Sequence, residues 1–175
     1  MRNILKNRTA LSTVVTTLII LVVSVLLAGV VTYFAINVTS TRVQEENLVM
    51  VRQHVWFNTT AQGAQAALAI TNTGGRDVVI SKVAVRGQTC PWTNAYTALA
   101  TWNTGDLKYV PVTDLTNATF TLAPSTGLTL KSGATMILYI TAPDSISVND
   151  VGLTVALTVF SAQAIYYKET NVEGL

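Results

Sequence analysis

The stretch from Thr9 to Thr41 constrains this chain most. It lies between Arg8 and Arg42 and carries no charged side chain. Its centre, Val14 to Val31, is mostly Val, Leu and Ile, with Thr16, Thr17, Ser24, Ala28 and Gly29 set among them. At ~1.5 Å rise per residue, such a helix reaches roughly 50 Å, against a hydrocarbon core of roughly 30 Å. It can cross a membrane and extend past it. Thr13, Thr16, Thr17, Ser24 and Thr32, with Ala28 and Gly29, offer small surfaces at which helices approach closely. Two readings follow: an anchor that stays in lipid, or a helix that packs into a bundle.

The flanks give a direction. Arg2, Lys6 and Arg8 precede the run and no acid accompanies them, so this end is expected inside and all that follows outside. A secretory signal has a short apolar region followed by a small-residue cleavage site. Here the run is too long, and the small residue precedes it: Lys6-Asn7-Arg8-Thr9-Ala10, then Leu11-Ser12-Thr13-Val14-Val15.

That order resembles the class III signal of archaeal type IV pilins and archaellins. In that family a basic leader ends in Gly or Ala, and a membrane peptidase cuts there and leaves the helix on the mature protein. The resemblance places the cut between Ala10 and Leu11 and covers roughly residues 6 to 50, with crenarchaeal-type pilins favoured. Bacterial pilins carry Glu at the fifth mature position, where this chain has Val15. Many archaellins carry Gly at the third, where it has Thr13, which tilts the reading from a motility filament toward a pilin. The resemblance implies a leader over 1–10, a helix over 11–57 and a head over 58–175. It implies a filament core built from Val14, Val15, Leu18, Ile19, Leu21, Val22, Val25, Leu26, Val30 and Phe34. The partners it implies are copies of the same chain, a prepilin peptidase, and an assembly ATPase with its membrane platform. Lipid surrounds the helix before assembly, and the destination is an extracellular filament on an archaeal surface.

After the run, Val43, Leu48, Val51 and Val55 recur at spacings near three and four, with Arg42, Glu45, Glu46, Arg52 and His54 between them. This predicts an amphipathic helix over 41–56. Trp56 and Phe57 read as staples between that helix and the head.

Beyond Gln62 the period changes. Gln65–Thr71 and Val78–Val85 read as strands joined by Asn72-Thr73-Gly74-Gly75-Arg76-Asp77 into a hairpin. Residues 87 to 116 look irregular, with Tyr109-Val110-Pro111-Val112 as an edge strand. The aromatics Trp92, Tyr96, Trp102 and Tyr109 there read as core. Further strands are expected at 120–122, 128–130, 135–140 and 152–160, the last extending toward Tyr167. The fold class expected is α+β: a long hydrophobic N-terminal helix, then an immunoglobulin-like antiparallel β-sandwich.

Hydrophobic residues make up 50% of the chain and charged residues 11%, against ~25% charged in typical soluble proteins. Net charge is +2, without a basic cluster beyond the first eight residues, so nucleic acid is not an expected partner. The lone cysteine, Cys90, precludes an internal disulfide, and with the lone histidine, His54, makes no zinc site. Cys90 and His54 could meet as nucleophile and base, but no orienting motif surrounds Cys90, so a small hydrophobe or incidental thiol and a solvated or interface histidine are favoured. Asp106, Asp114, Asp144 and Asp150 all sit near turn signals, where bonding to backbone explains them better than calcium. No enzyme, cofactor or metal is expected. Three Asn-X-Thr triplets follow the basic end: Asn117-Ala118-Thr119, Asn58-Thr59-Thr60 and Asn37-Val38-Thr39, in that order of promise as glycan acceptors. Asn7-Arg8-Thr9 matches too but falls on the inner side. The functions left open are a filament subunit, with adhesion or attachment as its use, and a membrane-tethered sandwich that binds a ligand.

Overall fold

A computed structural model describes residues 8–43, 45–100, 105–117 and 120–175. Residues 1–7 of the expected leader and Trp102 lie outside the described residues, as do Ala118 and Thr119 of the Asn117 triplet. The chain divides between residues 43 and 44 into two compact units.

The first unit is one helix, α1 (Arg8–Val43), of 36 residues. It is unbroken, and the span Leu11–Thr41 is long and apolar enough to cross a membrane.

Among the described residues the second unit holds, besides 3-10 turns at Trp92–Asn94 and Val148–Asp150, ten strands and one short α-helix. They are β1 (Leu48–Asn58), β2 (Gly63–Asn72), β3 (Val78–Val85), β4 (Gln88–Cys90), β5 (Ala95–Ala100), α2 (Val112–Asn117), β6 (Thr121–Leu122), β7 (Leu128–Leu130), β8 (Thr135–Thr141), β9 (Thr154–Ser161) and β10 (Ile165–Gly174). One hydrogen-bonded path runs β4-β3-β9-β10-β1-β2-β8-β5-β6, with β7 also on β3. Every pairing is antiparallel except β1 with β10. That parallel seam joins two layers. One reads β1-β2-β8-β5 and the other β4-β3-β9-β10, which is the ABED and C′CFG arrangement of an immunoglobulin-like sandwich. Leu68, Ile70, Leu138 and Ile140 from the first layer meet Ile80, Val83, Leu157 and Val159 from the second in one apolar core.

The second unit corrects several sequence expectations. The amphipathic helix over 41–56, and with it the helix to residue 57, is instead the end of α1 followed by β1. The spacings of Leu48, Val51 and Val55 mimic a helix because a bulge interrupts the strand. Pairing with β2 shifts register between Val51 and His54, and Arg52 sits at φ 54°. Beyond the bulge, Val55, Trp56 and Phe57 are all buried, so two-fold alternation disappears. Trp56 and Phe57 therefore belong to the head's own packing and are not staples to a helix. The head begins near residue 44, not 58.

The expected β2–β3 hairpin is not formed. β2 pairs with β1 and β8, and β3 with β4, β7 and β9. The turn at 72–77 instead carries the chain from one layer to the other. Buried Asn72 organises it: Nδ2 donates to the carbonyls of Arg76 (2.7 Å) and Leu130 (3.1 Å), and Oδ1 accepts from Gly74 N (3.0 Å). The same turn anchors the segment entering β1. Thr73 N and Gly74 N donate to Asn47 O, and Gly75 N to Glu45 O.

Tyr109–Val112 is not an edge strand. Residues 105–111 are irregular and α2 follows, its Leu115 wholly buried. This segment covers the outer side of the first layer. Leu107 and Leu115, with Tyr109, Val110 and Phe120, pack on Trp56, Ala67, Ala69, Ile137 and Tyr139. Small Ala67 and Ala69 leave room for it. Gln65 clamps it, exchanging hydrogen bonds with Val110 N (3.0 Å) and Val110 O (2.7 Å). The first layer is thus covered on both sides. Trp92, Tyr96 and Tyr109 are partly buried, as a core role requires.

Candidate functional site

Two places bear on function: α1 and a charged cluster on the outer side of the first layer.

The sequence of α1 is rich in Val, Ile and Thr, which are modest helix formers in water. In lipid, an unpaired backbone group is costly, so a helix is the available single-segment solution. The hydroxyls fit the same rule. Thr16, Thr17, Ser24, Thr32 and Thr41 donate to the carbonyls of Ser12, Val14, Leu21, Ala28 and Asn37 at 2.8–2.9 Å. Their polar demand is met inside the helix, and its surface is left nearly apolar.

Ala10 and Leu11 lie within α1, without a helix break at the expected cut. The ten expected core residues are all exposed, from 46% at Val22 to 65% at Phe34. They do not form one narrow face but spread over an arc of roughly 220° around the helix. A sharper pattern runs along α1. Thr13, Thr17, Ser24, Ala28, Ala35 and Thr39 recur at intervals of four and seven. At ~100° per residue they fall within an arc of roughly 80°. Their eleven-residue period is one that keeps a stripe almost parallel to the helix axis. Leu11, Val15, Val22, Leu26 and Tyr33 lie on the opposite side.

In the head, His54 is on β1 and not on a helix. Its Nδ1 is 3.0 Å from Glu173 Oε1, and its Nε2 is 3.0 Å from Asp106 Oδ1. Its ring stacks on Trp56 at 5.2 Å and 2°. Trp56 Nε1 donates to Glu173 Oε2 at 2.9 Å, and Tyr109 meets Trp56 edge-on. Three segments converge here: β1, the end of β10 and the covering segment. Burial lowers the His54 pKa, but the hydrogen bonds to Glu173 and Asp106 and their charges outweigh it, so the imidazolium is favoured. The bond from His54 holds the Asp106 carboxyl below its usual range. With both ring nitrogens on carboxylates, His54 is a fastener and not a base poised for attack.

The other chemical residues are occupied structurally. Cys90 ends β4 and packs against the inner core, and burial raises its thiol pKa. Asp150 accepts from Ser147 N and Ser147 Oγ and binds Arg86 at 2.7 Å. Asp106 also accepts from Leu107 N. Asp114 accepts at 3.5 Å from Thr113, and Asp144 is exposed. Among the described residues, no group of three or more His, Cys, Asp or Glu is placed to hold a metal ion. Asn37 is within α1, Asn58 ends β1 and Asn117 ends α2.

No family model matches the chain. A search of curated proteins returns no match. Among solved structures, the chain is similar to the ligand binding region of Serine-glutamate repeat protein A (SgrA) of Enterococcus faecium. The identity is 14% and the TM-score 0.33, over 74% of this chain and 98% of that one.

Proposed function

We propose that this chain is a structural subunit of an extracellular, archaeal type IV pilus-like filament that polymerises through α1, with surface attachment as its use. The observation that carries this reading is α1 itself. A crossing needs ~20 residues, whereas the apolar span runs for 31. It is apolar on all sides, self-satisfied in its hydroxyls, and lined on one side by small residues that admit a second helix. A large side chain from one copy set against the small stripe of another gives a head-to-tail contact that does not close, and so a filament. Each fully buried Leu, Ile or Val contributes ~1.5–3 kcal/mol relative to water. Lipid supplies much of that before assembly, so extraction needs the machinery implied by the resemblance. The immunoglobulin-like unit is then the outward face of the polymer.

The second reading, a single-pass tether for a binding sandwich, uses the same helix and leaves it in lipid. Val22→Asp separates the two. A charge at the middle of a crossing costs about 2.5–3.5 kcal/mol, which a span this long can lessen by sliding. The filament reading expects a chain that still inserts but forms no filaments. Filaments of normal number with Asp at position 22 would sink it.

A further inference from the structure

We propose that Asn58 carries an N-linked glycan on the exported head, an inference that rests on the export of the head assumed above. The structure separates Asn58 from Asn37, while Ala118 and Thr119 of the Asn117 triplet lie outside the described residues.

Asn37 and Thr39 are two positions apart in an unbroken helix, where side chains at that spacing do not face each other. At ~100° per residue the two positions lie roughly 160° apart around the axis, so the helix does not set the Thr39 hydroxyl beside the amide it would have to assist. Asn58 is different. It closes the β1–β2 hairpin opposite Gly63, and Thr59, Thr60, Ala61 and Gln62 form an exposed tip. Asn58 Oδ1 accepts from Thr60 N and from Ala61 N, each at 2.9 Å. This turn draws the acceptor amide and the threonine two residues on into one loop. Nδ2 has no protein hydrogen-bond partner among the described residues.

The surroundings give the modification a use. Thr59 N and Oγ1 both donate to Leu175 O (3.0 and 2.8 Å), and Gly174 lies against Val151. Val148, Val151 and Leu153 are 41–48% exposed in the segment leading into β9. An oligosaccharide rooted at this tip shields apolar side chains on a surface with few charges to keep it in solution.

The step is a group transfer. The donor is an oligosaccharide on a polyprenyl phosphate or diphosphate, and a membrane oligosaccharyltransferase catalyses it. Asn58 Nδ2 attacks the anomeric carbon and forms a C–N bond. The C–O bond to phosphate breaks, its electron pair leaves with the lipid phosphate, and one Nδ2 proton passes to a base of the transferase.

Trypsin isolates the site. Cleavage after Arg52 and Arg76 releases Gln53–Arg76, which holds the Asn58 triplet alone, while Asn117 falls in Tyr109–Lys131. The test is mass spectrometry of these peptides from the full chain purified from the cells that make it. In parallel, intact cells are treated with a membrane-impermeant lysine reagent. The expected result is a labelled head and a Gln53–Arg76 peptide carrying a glycan mass with sugar fragment ions. Asn58→Gln and Thr60→Ala remove that mass, and Thr60→Ser keeps it. A labelled head with a bare Gln53–Arg76 peptide overturns the glycan alone. A head that stays unlabelled until cells are lysed overturns export, and the glycan with it.

Discussion

Gly74→Ala probes how the chain enters the head. A β-carbon at Gly74 would stand 2.5 Å from Glu45 O and 2.7 Å from Asn47 N. Ordinary contact is ~3.5 Å, so the two strands of backbone must part by about 1 Å. Neither neighbour is a side chain that can swing aside. The parting breaks or stretches the bonds from Thr73 N and Gly74 N to Asn47 O and from Gly75 N to Glu45 O, now 2.9, 3.2 and 3.2 Å. At a net ~0.5–1.5 kcal/mol each, the loss is about 2–4 kcal/mol. For a head of this size that lowers the melting temperature by roughly 6–12 °C. Gly133→Ala is the control. Gly133 has φ +75° and open space around it, so its cost is conformational alone, about 1–2 kcal/mol. The assay is thermal unfolding of the full chain in detergent, followed by near-ultraviolet circular dichroism. Hydrogen exchange at the Thr73 and Gly75 amides reports the local opening. A Gly74→Ala protein as stable as Gly133→Ala, with those amides still protected, refutes the close approach.

Three further outcomes follow from the head. The raised His54 pKa stabilises the fold at pH below the ordinary value of 6.5, and this is lost as pH rises through the folded-state value. The lowered Asp106 pKa stabilises above 3.8, and this is lost as pH falls through its folded-state value. The melting temperature should therefore decline on the alkaline side in wild type, and His54→Gln should flatten that decline; an unchanged alkaline limb would contradict the fastener role. Leu115→Ala, at a fully buried position under the covering segment, should cost about 2–5 kcal/mol in chemical denaturation, and less than 1 kcal/mol would mean the outer cluster does not seal that face. Asn72→Ala leaves Gly74 N and two carbonyls without their side-chain partner and should destabilise by about 2–4 kcal/mol, which Asn72→Asp does not restore because Asp has no amide donors.

The sequence made α1 and the class of the head legible because both rest on strong periodic signals. An uncharged run cannot hide, the strand at 128–130 alternates as a half-buried strand does, and the apolar run at 135–140, bounded by turn signals, reads as a strand buried on both sides. Where a strand has two buried sides, its partner is harder to read. β2 is buried from Ala64 to Asn72, so it gave no alternation from which to choose a partner, and the nearest turn suggested β3. β1 failed for that reason and because of its bulge. β10 was missed because Ser161-Ala162-Gln163-Ala164 lacks Gly, Pro and Asn; Ser161 supplies the turn instead, accepting from Ala164 N at 3.0 Å and donating to Ala164 O at 3.0 Å. Without β10, Glu173 had no place, and the grouping of His54, Asp106 and Glu173 was invisible. It spans positions 54 to 173 and exists only through the parallel β1–β10 seam. The small-residue stripe on α1 was readable but masked by the apolar residues around it.

Whether α1 leaves lipid to join a polymer is decided most directly at its N-terminus. Filaments sheared from cells and sequenced should contain this chain beginning at Leu11, freed of its basic leader. A chain that keeps Met1 and is recovered only with the membranes would contradict assembly through α1.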